Sequence, residues 1–178
     1  ADFCVGYFNL RGWKLLDSNI DHWTGGDDNC CRLLVGMHRT PEEAVRLLHS
    51  PTPVDELVDQ ATARSLHKQI AEEFRRQLAS GVPSNEDELG LRRLAGQLRS
   101  RRVRTRLFLR HPLHAKLYLC FRSDPTSPSI GFLGSSNLTM PGLLKQGELN
   151  VDVLDHDACV KLAKWFDDRW SDRFCIDI

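Results

Sequence analysis

The chain has 178 residues, a length suited to one globular domain with a hydrophobic core of its own. Its formal net charge is +0, 41% of its residues are hydrophobic, and no apolar run approaches the roughly 20 residues needed to cross a bilayer. These figures exclude a transmembrane protein and a charge-driven disordered chain, and they predict a soluble, cytoplasmic domain.

In chain order, Asp2 to Phe8 is a short apolar, aromatic-rich run that predicts a buried strand, and Cys31 to Val35 predicts a second after the turn-rich Gly25-Gly26-Asp27-Asp28-Asn29. Thr40, Pro41, Glu42 and Glu43 form a helix-start signature, with the helix expected to stop near Ser50 before Pro51 and Pro53. Helical spacing of Leu57, Val58, Ala61, Leu66, Ile70, Phe74 and Leu78 predicts a helix over 55–80, and another is expected from Asn85 to Arg99. Period-two alternation then sets in. Arg102, Arg104 and Arg106 alternate with Val103, Thr105 and Leu107, the pattern of a strand with a basic face. Further strands are expected at Ala115–Phe121, Ile130–Leu133 and Gly147–Leu154, with an amphipathic helix over Asp157–Asp172 closing the chain. Strands around a helical middle predict an α/β domain, a mixed β-sheet flanked by helices over 1–178. Because the chain opens Ala1-Asp2-Phe3-Cys4 without Met, it is expected to be a piece of something longer.

The six cysteines include an adjacent pair, Cys30-Cys31, and the others sit in apolar runs, so free buried thiols are expected. No Cys/His cluster has zinc spacing, and neither a metal nor a cofactor is expected. Charge is unevenly distributed. From Leu89 to Ser123 there is no acidic residue, while Arg92, Arg93, Arg99, Arg101, Arg102, Arg104, Arg106, Arg110, Lys116 and Arg122 fall within that stretch. Some of these pair with acids on neighbouring helix surfaces, yet so one-sided a run predicts a positive surface for a polyphosphate partner.

Chemistry concentrates in two segments. In His111-Pro112-Leu113-His114-Ala115-Lys116-Leu117-Tyr118-Leu119, residues two apart on a strand share a face, so His114 and Lys116 project together. In Gly131-Phe132-Leu133-Gly134-Ser135-Ser136-Asn137-Leu138-Thr139, an apolar strand runs into a small polar turn whose side chains can hydrogen-bond an oxyanion. A lone His-x-Lys is most often just a half-exposed polar face; it is the pairing with the second segment, with Glu148 and with the basic stretch that gives it chemical meaning. His111, before Pro112, is expected in a loop, and Trp13, Trp23, Trp165 and Trp170 are expected in the core.

At these residues the chain resembles the phospholipase D superfamily, whose hallmark is His-x-Lys followed by Gly-Ser-x-Asn: here His114-Ala115-Lys116 and Gly134-Ser135-Ser136-Asn137. The nearer likeness is to its single-motif bacterial branch of nucleases and helicase-associated domains, including the opening Val5-Gly6-Tyr7-Phe8-Asn9-Leu10-Arg11-Gly12 and Gly147-Glu148-Leu149-Asn150-Val151. The resemblance implies a phospholipase D-like α/β/α sandwich and a metal-independent phosphodiesterase, with DNA as substrate. It also implies a homodimer in which paired His114 residues flank one phosphate, one forming a phosphohistidine and the other serving as acid and then base. Lys116, Ser135, Ser136, Asn137, Arg102, Arg104 and Arg106 would contact phosphate, and Glu148 would orient the imidazole. The family's Asp, five residues after the Lys, is here Phe121, and Asp124 is out of register. Two other readings compete: a catalytically silent DNA-binding or dimerisation module of a larger helicase or defence protein, and a phospholipid phosphodiesterase.

Overall fold

A computed structural model describes residues 1–36, 72, 76, 85–108, 110–144 and 147–178. The helix expected from Thr40 lies outside these residues, and of the one expected over 55–80 only Glu72 and Arg76 are described, both helical.

The described elements are β1 (Asp2–Val5), α1 (Leu10–Trp13), α2 (Asp17–Ile20), β2 (Cys31–Gly36), α3 (Asn85–Arg99), β3 (Val103–Phe108), β4 (Leu117–Phe121), β5 (Ser129–Gly134), α4 (Met140–Leu144), β6 (Asn150–Val153), α5 (His156–Trp170) and β7 (Cys175–Asp177). The strands form one mixed seven-stranded sheet in the order β6-β5-β4-β1-β2-β3-β7. β1, β2 and β3 run parallel, with Asp2 opposite Arg32 and Arg32 opposite Arg104. β4 returns antiparallel on the other side of β1 (Cys4 opposite Leu117), and β5, β6 and β7 extend the two edges antiparallel. Chain order therefore reverses at β1, which has parallel β2 on one side and antiparallel β4 on the other.

Alternation divides the sheet between two cores. Phe3, Val5, Leu33, Val35, Val103 and Leu107 pack with Trp13, Ile20 and Leu94 from the α1, α2 and α3 side. Cys4, Leu34, Phe108, Leu117 and Leu119 pack with Cys159, Phe166 and Trp170 of α5 on the other. The result is the α/β layering expected from the sequence.

Among the described residues, buried side-chain polar groups in these layers are hydrogen-bonded except Arg169 Nε. Gln97, 2% exposed, accepts from the Trp13 indole N–H at 2.9 Å and donates to the Asp17 carbonyl at 2.8 Å and to Asp21 at 2.7 Å. Asp2, 1% exposed, receives two hydrogen bonds of 2.6 Å from Arg32. The cysteines are free thiols, and burial pushes Cys4 up to about 12 and Cys175 to about 11, which keeps both protonated.

Differences from expectation are mostly at ends. β1 stops at Val5 because the chain leaves the ladder at Gly6 and rejoins only as a parallel bridge from Phe8 to Leu138. Four short elements carry too little periodicity to be read in advance: α1, α2, α4 and β7 are three to five residues long.

Candidate phosphate site

The two motif segments meet over the carboxyl end of β1. After Phe108 the chain crosses the ends of the parallel strands, and Leu113, 7% exposed, lies over Gly36 at the end of β2, where a Cβ would run into the Leu113 carbonyl. The chain then enters β4, with the Gly134 amide bonded to the Lys116 carbonyl at 3.3 Å. His114 and Lys116 thus lie on the extended lead-in to β4 instead of inside the strand, which begins at Leu117. His114 is exposed and Lys116 half-buried, and the Lys116 ammonium donates to the His114 carbonyl at 2.8 Å.

The second segment is clamped from three sides. Leu138 donates to Tyr7 O and Asn9 donates to Leu138 O, both at 3.2 Å. Ser135 N donates to Leu149 O at 3.1 Å, and Leu149 N donates to the Ser135 hydroxyl at 3.1 Å. The Tyr118 hydroxyl donates to Ser136 O at 2.9 Å. Inside this frame Tyr7 N donates to Asn137 Oδ1 at 2.9 Å. That bond fixes the carboxamide, because an N–H can pair only with its oxygen, so Asn137 keeps both amide N–H donors for a ligand.

Convergence is visible at Gly6. A methyl placed on its α-carbon would sit 3.2 Å from Asn137 Oδ1, 3.6 Å from Leu113 O and 3.8 Å from Lys116 Nζ. An ammonium, a carboxamide and the His114 segment therefore border one small space. Glu148 is half-buried next to Leu149, near enough to the Tyr118 hydroxyl for its charge to help burial raise that group's pKa. An ammonium and a carboxamide beside one space can together supply hydrogen-bond donors and positive charge to a tetrahedral oxyanion.

Other expected contacts lie elsewhere. Ser136 is 4% exposed and accepts from Asn150 Nδ2 at 2.7 Å, so it braces the turn from below. Arg102 donates to Trp23 O at 2.7 Å. Arg104, in register with Asp2, is two strands over and near the opposite end of the sheet; it donates to Asp27 at 2.7 Å. Arg106 donates to Asp177 at 2.8 Å and stacks on Trp170 with 4.8 Å to the ring centroid. The strand does have a basic face, and that face turns toward α5. Likewise Arg93 pairs with Asp17 and Asp21, and Arg110 with Asp172, acids distant in sequence that the one-sided stretch gave no hint of.

Phe121, at the position of the family's Asp, ends β4 opposite Ser129 and is 51% exposed. Five residue steps separate it from Lys116, roughly 16 Å along a strand, so that position is beyond reach of an anion held at Lys116. Asp124 instead accepts from Thr126 N at 2.9 Å and Thr126 Oγ1 at 2.7 Å within its own turn.

Residues 27–170 match the family described as cardiolipin synthase, PLD-like domain. The chain belongs to the phospholipase D-like family. No protein of curated function matches it. The match spans both motif segments and the strands β2 to β6, leaving out β1, Gly6 and Tyr7, and it supports phosphodiesterase-type chemistry in general. Among the described residues, no group of three or more His, Cys, Asp or Glu could hold a metal ion, and no helix is long and apolar enough to cross a membrane.

Proposed function

We propose that this phospholipase D-like domain hydrolyses phosphodiesters, with nucleic acid as the substrate. The observation that carries the reading is the shared space at Gly6, bordered by Lys116 Nζ, the Asn137 carboxamide and the segment bearing His114. In this reading an imidazole nitrogen of His114 attacks phosphorus, and the bond to the leaving oxygen breaks as that oxygen takes a proton from a second imidazolium. Water then attacks the phosphohistidine, giving its proton to the second imidazole, and releases His114 and the phosphate product. Lys116 and the Asn137 N–H donors hold the nonbridging oxygens while charge shifts onto them. Ser135, its hydroxyl engaged with Leu149 N, keeps the turn at the right height, and Glu148 accepts from the His114 ring.

A chain with one His-x-Lys supplies one imidazole, so the second comes from an identical subunit across a twofold axis. Nucleic acid is favoured by the single motif and by Arg92 and Arg101, which pair with Glu88 and Asp27 yet keep side chains 75% and 56% exposed. Nicking of supercoiled plasmid by wild type and His114→Ala tests this. Cleavage lost in the variant with DNA binding kept supports the enzyme; binding without cleavage by either protein leaves a silent DNA-binding module.

A phospholipid substrate is the second reading, favoured by apolar exposure beside the site. Leu144, Leu149, Val151 and Leu154 are 54–77% exposed and flank Ser135 and Glu148 in the sequence of the rim. Hydrolysis of phosphatidylglycerol vesicles with no plasmid nicking would select it.

A further inference from the structure

We propose that Gly6 and the Tyr7 amide form a positioning element of the anion site, outside both motifs: the Tyr7 amide aims the Asn137 carboxamide, and Gly6 leaves the room that carboxamide needs to keep its aim. The inference rests on the phosphodiesterase reading above and adds the end of β1 to it. Among the described residues only Gly25 and Gly26 are glycines with positive φ, so Gly6 is not needed for an unusual backbone conformation. What it contributes is room. Its would-be Cβ is in tight contact with Asn137 Oδ1 at 3.2 Å and in ordinary contact with Lys116 Nζ at 3.8 Å, so a methyl would press on the carboxamide and fill part of the space between the two ligand groups.

The Tyr7 amide acts through the same carboxamide. Its 2.9 Å bond to Oδ1 turns the Asn137 NH₂ away from the Tyr7 amide, and in the next peptide the Tyr7 carbonyl accepts from Leu138 N at 3.2 Å, which ties this stretch to the turn that carries Asn137. The acceptor oxygens, Asn137 Oδ1 and Leu113 O, thus stay on the Gly6 side, and the carboxamide N–H donors are left to an oxyanion.

The test uses the whole chain and inorganic phosphate. Phosphate affinity is measured by calorimetry for wild type and Gly6→Ala, with thermal melting as a control for folding. The expected result is about tenfold weaker phosphate binding in Gly6→Ala with melting unchanged. Amide exchange supplies the second measurement, independent of that variant's folding. Tyr7 N–H should be protected in wild type and in Asn137→Asp, which keeps the acceptor, and exposed in Asn137→Ala. Equal phosphate affinity in a folded Gly6→Ala, or a Tyr7 amide unprotected in wild type, overturns the positioning role and leaves the phosphodiesterase reading standing. Wild type that binds no phosphate and cleaves no phosphodiester overturns both.

Discussion

Asn137 is the residue whose task is most narrowly defined by its surroundings, since Tyr7 N occupies its oxygen and leaves only donors for a ligand. Removing one such donor from a preorganised oxyanion site typically costs roughly 10²–10³ in kcat. Asn137→Ala should lose about that much cleavage with little change in stability, and Asn137→Asp should be at least as damaged although it preserves the Tyr7 bond, because a carboxylate repels the phosphate. Steady-state kinetics on a chromogenic phosphodiester distinguish this from a purely structural role, in which Asp would rescue. Lys116 leads to a second expectation. Its fixed ammonium lies on the same space and supplies the positive charge that a divalent cation would otherwise bring, so cleavage should persist in EDTA. Complete loss on chelation, restored by a divalent salt, would show that charge to be insufficient. His114, Lys116 and Asn137 were legible in the sequence because two short motifs name them. Gly6 and Tyr7 were named only within the opening that resembles the family's, without a role, because they contribute a missing side chain and a backbone N–H, neither of which has a residue-type signature.

At the level of elements, the main strands and the two long helices were readable from periodicity, and α3 has the expected bounds of Asn85–Arg99. What holds α3 to the sheet was not readable, since a glutamine inside an arginine-rich helix looks like a solvated one. Gln97 instead lies under Trp13 and completes three hydrogen bonds between α3, α1 and α2. Gln97→Leu leaves the Trp13 N–H and the Asp17 carbonyl buried without that partner, at about 1–3 kcal/mol for each group. Chemical denaturation should show a loss of stability of that order, with Gln97→Glu no milder because its buried carboxylate would face Asp21 and the Asp17 carbonyl, to which Gln97 now donates. The β3–β7 edge gives a pH-dependent case. The hydrogen bond from Arg106 holds the Asp177 carboxyl below its ordinary range. A carboxyl depressed in the folded state stabilises the fold above its unfolded pKa, and that contribution disappears as pH falls through the folded value. Wild type should therefore lose melting temperature below about pH 4, and Asp177→Asn should lose less over the same interval while starting lower at neutral pH. Parallel pH profiles for the two proteins would mean that the pair adds nothing to the edge.

For the whole molecule, one chain presents one His114 where the proposed chemistry needs both an attacking and a protonated imidazole, so activity should belong to a pair of chains. The sequence conveyed this need through the count of motifs, but not the surface that meets it: pairing depends on which apolar groups stay exposed after the sheet has packed, and that follows from topology. β6 is an edge strand carrying Val151, beside exposed Leu149 and Leu154, at the same corner of the molecule as Ser135 and Glu148. If two chains share one composite site, every site with one His114→Ala chain lacks either nucleophile or acid. Titrating a fixed amount of wild type with excess His114→Ala, under subunit exchange and with substrate well above KM, should drive activity toward zero as mixed pairs replace wild-type ones. A self-sufficient monomer would keep its rate throughout, because saturating substrate removes competition by the variant. Dilution of wild type gives the complementary curve: specific activity should fall once the concentration drops below the dimer's dissociation constant, and the bell-shaped pH profile of a neutral and a protonated histidine should hold wherever activity remains.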